Sequence, residues 1–126
     1  MFGLNKPTVP TTKSTTEVSI ILPEIKTAIA NKDTATANSL FSIIVDKAMD
    51  LKGKPLLVGN VAEVAEQLGH KIKAAQLYEV AGSTLSTKAT YFLSKALTLY
   101  NENGEVTDIQ RIEKKLKLQL GVPKRA

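Results

Sequence analysis

Residues 61–82, VAEVAEQLGHKIKAAQLYEVAG, carry the pattern that decides the fold. Val61, Ala62 and Ala65 fall at helical spacing, Gly69 breaks the run, and Ile72, Ala75, Leu77, Tyr78 and Ala81 resume it before Gly82. Apolar residues at intervals of three and four on both sides of a glycine predict two short helices folded back on each other through a tight turn. A second stretch, ATYFLSKALTLYNENGEVTDIQRIEKKL over residues 89–116, has the same construction, with Gly104 thirty-five residues after Gly69. Recurrence at that interval predicts an all-α chain of about six helices paired as three helix-turn-helix hairpins.

Upstream of this pair, Ala37, Leu40, Phe41, Ile44, Val45 and Ala48 predict a helix over about 34–51, with Gly53 placed as its left-handed C-terminal cap. Pro55 suits the first turn of the next helix, in which Leu57, Val61, Ala62 and Ala65 face inward. Gly59 is expected to weaken that helix by about 1 kcal/mol relative to alanine. Nearer the N-terminus, Ser14 to Glu17 spells a capping box that opens a helix carrying Val18, Ile21, Ile25, Ala28 and Ile29. Pro23 lacks an amide proton and is expected to kink that helix or to start a new one, leaving residues 18–22 open between helix and extended chain.

Downstream, Tyr91, Phe92, Ala96, Leu97 and Tyr100 form the fifth stripe, and Thr107 or Asp108 is placed as the cap of a sixth helix carrying Ile109, Ile112, Leu116 and Leu120. Residues 1–13, with two prolines and isolated Phe2 and Leu4, are expected to form an extended or flexible arm. The expected organisation is therefore an arm (1–13), a helical domain (14–121) and a basic tail (122–126).

The glycine-centred spacing resembles the tetratricopeptide repeat, whose pattern places a small residue five after the turn glycine, an aromatic four later and a small residue three beyond that. Gly69, Ala74, Tyr78 and Ala81 match all four positions. The third unit aligns Gly104, Ile109, Glu113 and Leu116, keeping the glycine alone, and the first aligns Lys32, Ala37, Phe41 and Ile44, keeping the alanine and the aromatic. In the preceding helices, Ala62 and Tyr100 match while Ala65 and Leu97 depart. The resemblance covers about residues 18–120 and implies a short right-handed α-solenoid; a compact six-helix bundle is the competing reading of the same spacing.

Composition excludes several chemistries. Without cysteine there is no disulfide, thiolate metal site or cysteine nucleophile, and a single histidine, His70, leaves little for a zinc site. His70 follows the turn glycine and is expected to be an exposed turn residue, and Glu63 and Glu66 to share a solvated helix face. No phosphate-binding loop, dinucleotide fingerprint or nucleophile elbow is present, so a non-enzymatic protein without cofactor is expected. No apolar run has the length of a membrane span, and the first residues lack the apolar core of a signal peptide; a cytoplasmic protein is expected.

In the resembled family the first helix of each unit lines a concave peptide-binding surface. The matching positions are Lys26 and Ile29, then Asn60, Glu63 and Gln67, then Tyr91, Lys95, Thr98 and Asn101. The resemblance thus implies an adaptor or chaperone-like module that holds a partner peptide or helix. An alternative is an assembly component, of a virus particle or a secretion apparatus, that contacts neighbouring subunits through Phe2 and Leu4 and forms a homo-oligomer. A weaker third reading uses the basic strip Arg111, Lys114, Lys115 and Lys117, with Lys124 and Arg125 beyond it, to meet nucleic-acid phosphates, in keeping with a net charge of +5. No aromatic interleaves these cations to stack on bases.

Overall fold

The computed structural model describes residues 10–51, 53–83 and 87–119, and among these it is all helical, with six helices and no strand. The chain divides into two compact units, Met1–Leu51 and Lys52–Ala126.

The first unit is a hairpin of α1 (Pro10–Ala30) packed on α2 (Thr34–Met49). Helix α1 begins at Pro10, four residues before the expected capping box and within the expected arm, because a proline ring presets the dihedral of a first helical residue. The helix also continues through Pro23, so residues 18–22 are helical. Glu17, expected in a cap, instead pairs with Lys47 of α2 at 3.1 Å. Val18, Leu22, Ile25 and Ala28 are buried, while Ile21 and Ile29, expected on the inward face, are half-buried. Phe2 and Leu4 lie outside the described residues.

The turn between α1 and α2 reproduces the glycine turn without a glycine. Lys32 adopts a left-handed φ of 61°, its amide donates to the Ile29 carbonyl at 2.9 Å, and the Asp33 amide donates to the Ala28 carbonyl at 2.8 Å. At the next hairpin, Gly69 has φ 87°, with bonds from Gly69 to Glu66 at 3.0 Å and from His70 to Ala65 at 2.9 Å. Both are the paired bonds of a Schellman C-cap. Following each turn, Ala37, Phe41 and Ile44 are buried in α2, as Ala74, Tyr78 and Ala81 are in α4. Asp33 caps α2 by accepting the Thr36 amide at 3.2 Å, and hydrogen bonds from the Thr36 side chain and amide hold its carboxyl below the usual range. Helix α2 ends at the Asp50 cap, and Gly53 is not left-handed.

The second unit contains α3 (Pro55–Gln67), α4 (Lys71–Gly82), α5 (Ala89–Asn103) and α6 (Val106–Gln119), each packed on the next. Pro55 opens α3 as expected. Within α3 the inward residues are Val58, Val61, Ala62, Val64 and Ala65, while Leu57 is only half-buried. Ile72 and Tyr91, expected in core stripes, are 38% and 47% exposed, and Leu93 and Leu99 fill the α5 core instead. Two glycines permit close packing: a Cβ on Gly59 would meet the buried Phe92 ring, its Cζ 2.6 Å away, and one on Gly82 would lie 2.5 Å from Leu93 Cγ. Gly59 is therefore a packing residue more than a weak point of the helix.

The third turn differs from the other two. Gly104 is extended (φ −104°, ψ −172°) and its amide donates to the Tyr100 carbonyl at 2.7 Å. Helix α6 is capped at Glu105, not at Thr107 or Asp108: the Glu105 carbonyl receives the Asp108 and Ile109 amides, while Asp108 accepts the Glu105 amide at 3.2 Å. That supplies one half of a capping box, the side chain of the third helical residue, Asp108, reaching back to the N-cap amide.

Candidate functional site

The alternation of small and large residues on α3 and α5 leaves a hollow on the second unit. Gly59 admits the Phe92 ring, which leans at 5.5 Å on the exposed ring of Tyr91, and beside them lies a groove of about 290 Å³. Its walls are Leu56, Gly59, Asn60 and Glu63 from α3, Thr87 and Lys88 from the turn before α5, and Tyr91 and Phe92 from α5 itself. A neighbouring hollow of about 330 Å³ shares Leu56 and Thr87 and extends over Gly53, Lys54, Pro55 and Leu57. Leu56 stands between them, 59% exposed. The Lys88 ammonium lies 5.9 Å from the Tyr91 ring centroid, within the range of a cation–π contact.

The expected peptide-binding residues divide accordingly. Asn60, Glu63 and Tyr91 come together in the groove. Gln67, Thr98 and Asn101 are exposed but do not line it, and the Thr98 hydroxyl donates to the Ser94 carbonyl of its own helix at 3.1 Å. Lys26 is exposed on α1 in the first unit. The first unit has its own hollow of about 400 Å³ along Pro23, Glu24, Thr27, Asn31 and Leu40, but none of the expected site residues line it.

Lys95 has a different part. Its ammonium pairs with Glu66 at 3.4 Å and lies 5.6 Å from the centroid of the Tyr78 ring, while the Tyr78 hydroxyl donates to Glu66 at 2.9 Å. Glu66 is therefore committed to an internal network rather than to a solvated pair with Glu63. The same arrangement recurs one helix later. Tyr100 donates to Glu79 at 3.0 Å, and the Arg111 guanidinium sits 5.6 Å from the Tyr100 ring and binds Glu79 through Nε at 2.7 Å and Nη2 at 2.9 Å. In each network a glutamate on one helix, a tyrosine on the next and a cation on the third join three successive helices.

The electrostatics follow from this geometry. Burial and the carboxylate of Glu66 push the Tyr78 hydroxyl well above its ordinary range; burial and the charge of Glu79 do the same to Tyr100. Both tyrosines remain hydrogen-bond donors at any physiological pH. Burial alone would raise the Glu79 carboxyl, but the bonds from Arg111 and Lys115 outweigh it and hold it at about 2. Arg111 is correspondingly raised, chiefly by its bonds to Glu79.

The basic strip is divided by the same network. Arg111 also binds Asp108 at 2.9 Å, and Lys115 binds Glu79 at 2.7 Å and the Ser83 hydroxyl at 3.0 Å, so both are turned toward their own fold. Lys114 and Lys117 remain exposed on the outer side of α6. His70 is exposed just before α4, as expected. Among the described residues no group of three His, Asp or Glu is arranged to hold a metal ion, and no helix is long and apolar enough to cross a membrane.

Leu56, Thr87, Lys88 and Phe92 are groove residues that helical spacing did not single out as a site. The available signal was Gly59: a glycine inside an otherwise regular helix marks a place where another group comes close. Comparison with known proteins adds no relative: no family model, curated protein or solved structure matches the chain.

Proposed function

We propose that this chain is a non-enzymatic protein-interaction module of tetratricopeptide-like construction, acting in the cytoplasm, whose α3/α5 groove receives a peptide or helix of a partner protein. The observation that carries the reading is the groove itself, in which two exposed apolar side chains, Leu56 and Tyr91, flank the polar Asn60, Glu63 and Thr87. Apolar anchors with a polar rim suit recognition of a polypeptide. The matching Schellman turns at Lys32 and Gly69, with buried residues at the same offsets behind them, support the repeat reading.

The nucleic-acid reading is the less favoured, because Glu79 engages two of its four α6 cations. The assembly reading assigns its contacts to Phe2 and Leu4, outside the described residues.

A photo-crosslinking amino acid placed at Tyr91, and separately at exposed Lys73 on α4, tests the groove in the host cell. The expected result is a discrete protein adduct from position 91 that disappears with Leu56→Asp and is missing from position 73. Equal labelling at both positions, or no adduct at 91 in a folded protein, would sink the reading.

A further inference from the structure

Helices α3, α4 and α5 each bury six residues, whereas among the described residues of α6 only Ile112 is buried. Leu118 at the far end of α6 is 74% exposed and Val106 at its start is 65% exposed. What α6 lacks in apolar contact it makes up in charge: Arg111 and Lys115 both bind the Glu79 carboxylate of α4, and Tyr100 of α5 is its third partner. Glu79 is only 12% exposed, while Arg111 and Lys115 are 42% and 35% exposed, so the cationic side of the clamp is open to solvent ions.

Apolar burial does not weaken with moderate salt, whereas salt stabilises the separated, solvated charges that opening releases and so weakens an ion pair whose cations face solvent, the screening length being about 10 Å at 0.1 M and about 3 Å at 1 M. Elements with few buried contacts open locally ahead of the whole fold. We propose that α6 is a releasable latch: it opens as a unit while α3, α4 and α5 remain folded, and ionic strength sets the opening through the clamp of Arg111 and Lys115 on Glu79. Opening uncovers the α4 and α5 surface around Glu79 and Tyr100. The proposal stands independently of the groove, since none of these residues lines it.

Hydrogen exchange followed by mass spectrometry on the full chain, at 20 mM and 500 mM sodium chloride, tests it. Peptides covering residues 106–119 should exchange about fivefold faster at the higher salt, with those covering α3 and α4 changing by less than about twofold. Glu79→Gln should show the faster exchange already at low salt and lose the salt response. Should that variant fail to fold, Arg111→Gln combined with Lys115→Gln removes the clamp from the exposed side and should give the same result. Exchange of α6 at the rate of α4 at both salts would overturn the latch, as would equal acceleration of all four helices. A salt response that persists without Glu79, or without both cations, would overturn the role of the clamp.

Discussion

The Arg111 guanidinium grips the Glu79 carboxylate with Nε at 2.7 Å and Nη2 at 2.9 Å, joining helices separated by the whole of α5. The two-pronged contact matters because Glu79 is nearly buried, and a buried carboxylate without cationic partners would be strongly destabilising. Lys115 and Tyr100 complete its shell.

Acid should therefore weaken the second unit. The Glu79 carboxyl titrates at about 2 in the fold against 4.5 for the free group, so the unfolded chain binds more protons as pH falls between these values. The stability it contributes is complete above about pH 4.5 and is lost as pH drops through about 2. Allowing for solvent screening of Arg111, the contribution is on the order of 2 kcal/mol. Urea midpoints measured from pH 7 to pH 2 should decline along an acid limb that Glu79→Gln flattens; an unchanged limb in the variant would assign acid sensitivity to other carboxylates.

Gly59→Ala should destabilise the protein even though alanine is the better helix former. Propensity favours the change by about 1 kcal/mol, but the new methyl overlaps the buried Phe92 ring, and overpacking of this kind costs about 1–3 kcal/mol. A net loss of about 1 kcal/mol is expected by thermal melting, with partial recovery when Phe92→Leu is added. A gain in stability would show that the ring moves aside freely.

The two Schellman turns call for opposite substitutions. Lys32 is exposed and holds φ 61° with a side chain that disfavours it, so Lys32→Gly should stabilise the first hairpin by about 1 kcal/mol. Gly69 holds φ 87° with open space around its missing side chain, so Gly69→Ala should cost about 1–2 kcal/mol through backbone strain alone. Chemical denaturation of both variants checks the pair, and effects of the same sign would refute it.

Pro23 offers the largest gain. It lies inside α1 on the exposed side and cannot donate to the Ser19 carbonyl, four residues earlier. Pro23→Ala restores that donor and should raise stability by about 2 kcal/mol, read as a higher melting temperature with increased helical circular dichroism. A lower melting temperature would mean that the proline's restraint on the unfolded chain outweighs the missing bond.

Much of the architecture is local and was therefore legible in the residues. Pro55 opening α3, Gly69 closing its turn and the stripe Ala75, Leu77, Tyr78 and Ala81 each depend on backbone dihedrals or on side chains three or four apart, which neighbours in sequence decide. Boundaries that rest on competition between signals were less legible: Pro10 started α1 ahead of the Ser14 capping box, and Asp50 ended α2 ahead of Gly53. The candidate site was legible in part, through Asn60, Glu63 and Tyr91, because positions on one face of a helix follow from its period.

Spacing alone therefore determined that the chain forms short helices joined by tight turns, and which side of most helices turns inward. Tertiary structure decided the rest. Whether Gly59 is a defect or a socket depends on Phe92, more than thirty residues away; whether Lys95 and Arg111 greet a ligand or their own fold depends on Glu66 and Glu79 on other helices. Helical period fixes the direction in which a side chain leaves its own helix, but the group it meets there is set by packing between helices distant in sequence.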